Sequence, residues 1–442
     1  MQYQEFLAHI YSRYSGNVKL ELNRMENLLR EMGNPQNALR GFHVAGTNGK
    51  GSVCATLEAL CLAHGLSTGL NTSPHLIDYT ERFRVRGQEP PFNRVLELFQ
   101  RFEAVFEKWD ASFFEITTAI AFQLFREEEV HSAVIEVGLG GRLDATNLFR
   151  PDISAITSIG LDHVKTLGGT VELIAAEKAG IIKPFVPLIM GGIQGGPAEL
   201  ICAKAREMQA PLYRMGKDFT AENLRESLDG LVFDYRFGDW KLDQLRANLL
   251  GEHQAGNLSI ALTAFIIYAG KRGIEVSEDS LRKALTSVNW RGRMQVLSAD
   301  PPVILDGAHN VQGVQALLLT LDKLWPGKKV RFLLSILADK DYREMIRLIC
   351  GKADRIYLAQ NGSERAATLE AQASEVEKHG VPHSGAESVE QAYRLALSEL
   401  SRGEALVCGG SLFTVGEVLT ARNKDEANIP TRSTRKPPSA ST

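Results

Sequence analysis

The chain has few cysteines, no long apolar run and no surplus of one charge. Its five cysteines, Cys54, Cys61, Cys202, Cys350 and Cys408, are odd in number and show no C-x-x-C spacing. That pattern excludes a disulfide framework and the common thiolate zinc sites. Reduced thiols, mostly in the core of a cytoplasmic protein, are expected. Met1 to Leu20 lacks the basic-then-apolar order of a signal peptide. The longest apolar stretch, around Ile260 to Ala269, is too short to cross a bilayer and reads as a buried helix. Lys and Arg number 50 against 53 Asp and Glu, a formal net charge of −3. A nucleic-acid binder needs a basic surface, so nucleic acid and membrane are set aside as partners. An anionic substrate must therefore meet a local cluster of cations.

What is present is an alternation of strand and helix patterns. At 442 residues the chain exceeds one ordinary core, so two domains are expected. Phe42 to Ala45, Ala133 to Val137, Ile153 to Ser158 and Pro187 to Met190 read as strands. Val53 to His64 and Ile116 to Phe125 read as helices between them. A helical pattern from Ala247 to Ala269 and another over Glu278 to Ser287 close this half, whose sheet should be mainly parallel. A second series of strands follows: Val303 to Leu305, Val330 to Ser335, Arg355 to Ala359 and Ala405 to Val407. The expected division is a first domain over 1–288, a hinge at 289–293, a smaller Rossmann-like α/β domain over 294–422, and a disordered tail over 423–442.

The most specific local signal is Ala45-Gly46-Thr47-Asn48-Gly49-Lys50-Gly51-Ser52, placed between a strand pattern and a helix pattern. Glycines let successive N–H groups point inward around a phosphate. The helix start adds partial positive charge, Lys50 adds a full one, and Ser52 offers a hydroxyl to Mg²⁺. ATP binding is the expectation, with Thr47, Asn48, Gly49, Lys50, Gly51 and Ser52 as the contacts. The loop departs from the common form, because Gly51 separates the lysine from the serine.

That variant resembles the loop of the Mur ligase superfamily, and within it the chain is similar to the folylpolyglutamate synthase/dihydrofolate synthase family. The resemblance extends to Asn71-Thr72-Ser73-Pro74-His75, Phe113-Phe114-Glu115, the glycine-rich run from Glu136 to Asn147, Leu161-Asp162-His163 and Glu177-Lys178-Ala179-Gly180. In the second half it includes Arg291-Gly292-Arg293, Leu305-Asp306-Gly307-Ala308-His309-Asn310 and Asp339-Lys340-Asp341.

The resemblance implies a P-loop, Mur-ligase-type ATPase domain and a C-terminal ligase domain. It implies an ADP-forming ligase that phosphorylates a carboxylate and lets the amine of L-glutamate displace phosphate. The acceptor would be tetrahydrofolate, dihydropteroate or both, and the protein a monomer. Two Mg²⁺ ions are implied, one near Ser52, Ser73 and Glu136, the second near His163 with Glu136 bridging. Lys178 matches a lysine that becomes carbamylated. Arg293 would reach the γ-phosphate, His309 would approach the transferred phosphate, Asp306 would anchor the nucleotide and Asn257 would contact adenine or ribose. Asn23, Arg24, Arg82, Phe114, Glu115, Leu143 and Asp144 are implied on the pterin side. Gly409 to Phe413 and the Asp339-Lys340-Asp341 turn suit glutamate binding or domain contact.

Three other readings compete, one of them a degenerate, inactive relative, which is disfavoured because every charged position named above is intact. A peptidoglycan-type ligase would share the loop, but only about forty residues precede it, too few for the extra N-terminal domain such enzymes carry. A nucleotide-dependent switch would need no glutamate, and it would leave the carboxylate, histidine and lysine positions without a role.

Overall fold

The computed structural model describes residues 1–13 and 21–427. Its first sheet holds β1 (Gly41–Ala45), β2 (Thr68–Asn71), β3 (Phe83–Val85), β4 (Ser132–Glu136), β5 (Ile153–Ile156), β6 (Leu188–Met190) and β7 (Leu212–Arg214). Their spatial order is β3-β2-β4-β1-β5-β6-β7. Only β3 runs antiparallel, against β2. The central strand β1 is buried along its whole length, as parallel strands covered on both faces are. His43 stands out in it, and its Nε2 is satisfied by the Thr146 hydroxyl at 2.9 Å.

Register explains why one end of this sheet is the place to look. Val44 pairs with Glu136 and Ala45 with Ile156, while Asn71 pairs with Ile135. The carboxyl ends of β1, β2, β4 and β5 therefore lie side by side, where open α/β sheets bind ligands. Gly49 adopts a left-handed conformation (φ +85°) and turns the chain from the loop after β1 into the helix Lys50–Ala63. That helix is apolar nearly all round and packs in one core with the helices Glu252–Arg272 and Glu278–Ser287. Cys54 and Cys61 are buried on it, and all five cysteines are free thiols.

Two expectations are corrected. The long helix starts at Glu252, not Ala247. Ala247 instead ends a strand, and Gly251 at φ +105° separates the two. That strand belongs to a three-stranded antiparallel sheet not anticipated from the sequence: β8 (Phe219–Ser227), β9 (Gly230–Phe237) and β10 (Trp240–Ala247). The expected tail from residue 423 begins inside the helix Leu412–Ala427, and the remainder of it lies outside the described residues.

The third sheet holds β11 (Gln295–Ala299), β12 (Pro302–Asp306), β13 (Val330–Leu334), β14 (Ala353–Leu358), β15 (His383–Gly385) and β16 (Leu406–Gly409). Its order is β11-β12-β16-β13-β14-β15, with β11 alone antiparallel. Asp306 pairs with Gly409, which pairs with Leu334, so three strands end together. Apolar clusters cover both faces of this sheet. No helix among the described residues is long and apolar enough to cross a membrane.

Candidate active site

The carboxyl ends of the first and third sheets open onto one cavity of about 1330 Å³. The phosphate loop forms part of its wall. Thr47 N–H donates to the Ser158 carbonyl at 2.9 Å, and its hydroxyl donates to the Gly160 carbonyl at 3.1 Å. Asn48 N–H donates to the Ser158 hydroxyl at 2.9 Å. The loop after β5 thus braces the loop after β1. Lys50 Nζ donates to the carbonyls of Gly46 and Thr47 at 3.0 and 3.3 Å.

Lys178 reaches the same place from the helix Val171–Ala179. Its Nζ donates to the Gly46 carbonyl at 2.9 Å. Two ammonium groups on one carbonyl oxygen create a strong local demand for negative charge. Burial, then the Lys50 charge, pushes Lys178 down to about 7. Glu136 ends β4 and is buried; its Oε2 accepts the Ser73 N–H at 2.9 Å. Burial raises its pKa against the opposing pull of Lys50, the Ser73 N–H, Arg293 and Arg82.

The second half contributes from the ends of β12 and β13. Asp306 accepts the N–H groups of Met294 and Ala308 at 2.9 Å each, which fixes the turn carrying His309. His309 Nδ1 bonds the Gly307 carbonyl at 2.8 Å, and its Nε2 lies 3.6 Å from Asp162. Asp162 also bonds Lys340 and accepts from Asn310 Nδ2 at 3.3 Å. Burial opposes ionisation of Asp162, but the neighbouring His309 ring and the Lys340 charge prevail and hold its carboxyl well below the usual range. Asn310 also exchanges hydrogen bonds with Asn48, at 3.0 and 3.2 Å. The two halves are thus tied at the phosphate loop itself. Asp162 lies within the Leu161-Asp162-His163 motif, and nothing local in the sequence marks its role. Asn48 and Asp162 meet partners on chain segments far away.

The cavity is also lined by Arg24, Arg82, Phe114, Glu115, Leu143 and Asp144. Ser112 caps the helix Phe113–Glu127, and Glu115 returns a bond to the Ser112 N–H at 2.8 Å. That box orients Glu115 to accept Arg24 Nε at 2.9 Å. Arg82 lies over the Phe113 ring at 4.9 Å and donates to His75 at 2.8 Å. Asp144 caps the turn Ala145–Leu148 and is raised by burial, against bonds from the Thr146 hydroxyl and backbone N–H groups.

Of the residues assigned in the sequence to nucleotide, metal, catalysis or the pterin side, all but one line this cavity, whereas Gly409, Gly410 and Asp341 of the two glutamate-side segments do not. Asn23 does not: it is exposed at the start of the helix Asn23–Glu31, and its neighbour Arg24 takes the inward position. The cavity also gathers Lys50, Arg82, Lys178, Arg293 and Lys340, a local cationic site in a chain of net charge −3.

Ser52, Ser73 and Glu136 offer oxygen donors only, the chemistry that a hard divalent cation takes. Among the described residues no group of three or more His, Cys, Asp or Glu could hold a metal ion, so waters or substrate oxygens would fill most of the shell. Lys178 as an ammonium has no acceptor and cannot ligate.

Residues 44–265 match the Mur ligase middle domain, and residues 292–412 match the Mur ligase glutamate ligase domain. The dihydrofolate synthase/folylpolyglutamate synthase of Bacillus subtilis (strain 168) is 32% identical over 425 residues, covering 94% of this chain and 98% of the relative. The fold is similar to that of Mycobacterium tuberculosis folylpolyglutamate synthase complexed with ADP, with a TM-score of 0.88, 30% identity, and 94% and 97% of the two chains covered. It is also similar to Escherichia coli FolC in complex with DHPP and ADP, with a TM-score of 0.87, 31% identity, and 96% and 99% covered. A cationic cavity closed by two α/β halves, and likeness over nearly the whole length, lead to one conclusion: this chain belongs to the dihydrofolate synthase/folylpolyglutamate synthase family of ATP-dependent Mur-type ligases.

Proposed function

We propose that the protein joins L-glutamate to the carboxyl group of a reduced folate, of dihydropteroate, or of both, with ATP converted to ADP and phosphate. The observation that carries this reading is a single cavity. The phosphate loop and Arg293 line it together with Arg24, Phe114 and Asp144. The likeness to relatives bound to ADP and to DHPP supports the same assignment.

In this reading an acceptor carboxylate oxygen attacks the γ-phosphorus and ADP leaves. The amine of glutamate then attacks the acyl carbon, phosphate leaves, and the amine loses a proton. Backbone N–H groups of Thr47 to Ser52 cradle the phosphates, and Lys50 neutralises them. Arg293 offers a fork of donors to the transferred group. Asp306 holds the turn that aims His309 at it, and Asn257 takes the nucleoside. Glu115 and Arg24 set the acceptor end, where Arg82, Phe114, Leu143 and Asp144 contact the ring system. Ser52, Ser73 and Glu136 would hold one Mg²⁺, with His163 and a carbamylated Lys178 toward a second. When bound, the ions neutralise charge between the phosphates.

Carbamylation needs a neutral amine to attack CO₂. With Lys178 down at about 7, the ammonium prevails below that pH and the amine above it. Bicarbonate should therefore stimulate turnover more strongly as pH rises from about 6 to about 8. The response should vanish in Lys178→Met. A bicarbonate-independent rate in freshly decarbonated wild type would remove the modification from the mechanism.

The function itself is tested by coupled ADP release with L-glutamate and each acceptor in turn. Release that needs both substrates supports the reading. Release with ATP alone favours a nucleotide switch.

A further inference from the structure

Gly51 is the position at which the phosphate loop departs from its common form. It lies inside the helix Lys50–Ala63 and is not among the glycines with positive φ. Backbone conformation therefore gives no reason for glycine, which weakens a helix relative to alanine. The reason is a neighbour. A Cβ at position 51 would stand 2.4, 2.8 and 2.9 Å from three indole atoms of Trp290. No side chain fits in that gap without moving the ring.

Trp290 belongs to the segment between the helix Glu278–Ser287 and β11, the stretch that joins the two halves. Its indole packs on the core of the first half, and its Nε1 is buried without a hydrogen-bond partner among the described residues. Position, not hydrogen bonding, accounts for an indole there. The Arg84 guanidinium lies 5.7 Å from the ring centre and pairs with buried Glu58 of the phosphate-loop helix at 2.8 Å. Two residues later the segment is pinned to the second half. The Gly292 carbonyl accepts the Gly307 N–H at 2.8 Å, and a Cβ at 292 would stand 2.9 Å from Val415. Arg293 follows directly and faces the cavity.

We propose that Trp290 is a positioning residue. Its indole, seated on the bare backbone of Gly51, registers the connecting segment against the phosphate loop and so sets where Arg293 stands over the nucleotide. The extra glycine of the loop is the notch for this ring. The proposal rests on the ligase reading above, yet the complementarity of residues 51 and 290 does not depend on which acceptor is used.

Contacting residues that fit one another give non-additive variants. The test is ADP affinity by calorimetry, together with kcat and the melting temperature, for wild type, Gly51→Ala, Trp290→Ala, the double variant and Trp290→Phe. Gly51→Ala should weaken ADP binding about tenfold, because the methyl group and indole collide beside Lys50. The double variant should recover at least about threefold of that loss. Trp290→Ala alone should lower kcat about tenfold while changing ADP affinity less than about threefold, and Trp290→Phe should restore most of the rate. A double variant that binds ADP no better than Gly51→Ala overturns the proposal, as does a wild-type kcat in Trp290→Ala. If wild type binds ADP in either case, the ligase reading stands. A wild type that binds no ADP overturns both.

Discussion

Glu136→Gln is expected to lower kcat about 1000-fold, some 4 kcal/mol of transition-state stabilisation, without unfolding the protein. The substitution keeps the shape of the side chain and removes only its charge. Glu136 ends β4 in register with Val44, buried beside the phosphate loop. Its raised pKa means that burial disfavours the ionised form. A carboxylate held above its unfolded pKa is a stability cost at neutral pH. That cost fades as pH falls through the folded value and the group takes up a proton. A neutral amide relieves the cost, so the variant should melt at or slightly above the wild-type temperature at pH 7. Activity lost with stability kept is the signature of a group retained for chemistry. A variant with near-normal kcat would remove Glu136 from the site. One that melts far lower would make its role structural.

Arg293→Lys is expected to lower kcat about 100-fold with a small change in KM for ATP. Lysine keeps the charge, but it is a point donor where arginine presents a planar fork. Arg293 Nη1 bonds the Gly292 carbonyl at 3.2 Å, and the guanidinium lies so close to Gly307 that a Cβ there would stand 2.3 Å from Nη1. The group is thus held by the backbone of the linker and of the turn after β12. An ammonium on a flexible stem cannot reproduce that orientation. Equal kcat for lysine and arginine would mean that charge alone is needed. An unchanged rate in Arg293→Ala would deny the second half any part in phosphoryl transfer.

Much of the first half could be read from the chain because its signals are local. A strand, a glycine turn and a helix must follow one another to make a phosphate cradle, so residues 42–63 carry their own geometry. Glu136 is legible for the same reason, as the last residue of an apolar strand before a glycine-rich run. The antiparallel sheet β8–β10 escaped because its strands are part exposed and carry charge, so their apolar signal is diluted. The dipeptide Gly238-Asp239 between β9 and β10 was the available cue to a hairpin. Asn23 and Arg24 show a finer limit. A motif names both, but adjacent helical residues point about 100° apart, and only one faces the cavity.

The roles of Asp162 and Trp290 were beyond local reading. Asp162 gathers Asn310 and Lys340, which lie 148 and 178 residues further along the chain. No spacing rule links such positions; the fold alone brings them together. In the same way the glycine at 51 reads in sequence as an irregular loop, and its cause is the indole beside it.

The most direct test of the account is ADP release by the purified full chain with Mg²⁺, ATP and L-glutamate, with a tetrahydrofolate or dihydropteroate acceptor added last. The account expects release to begin on addition of an acceptor and to match, mole for mole, the glutamate built into product. ADP release that ignores both glutamate and acceptor, or none under any combination, would contradict it.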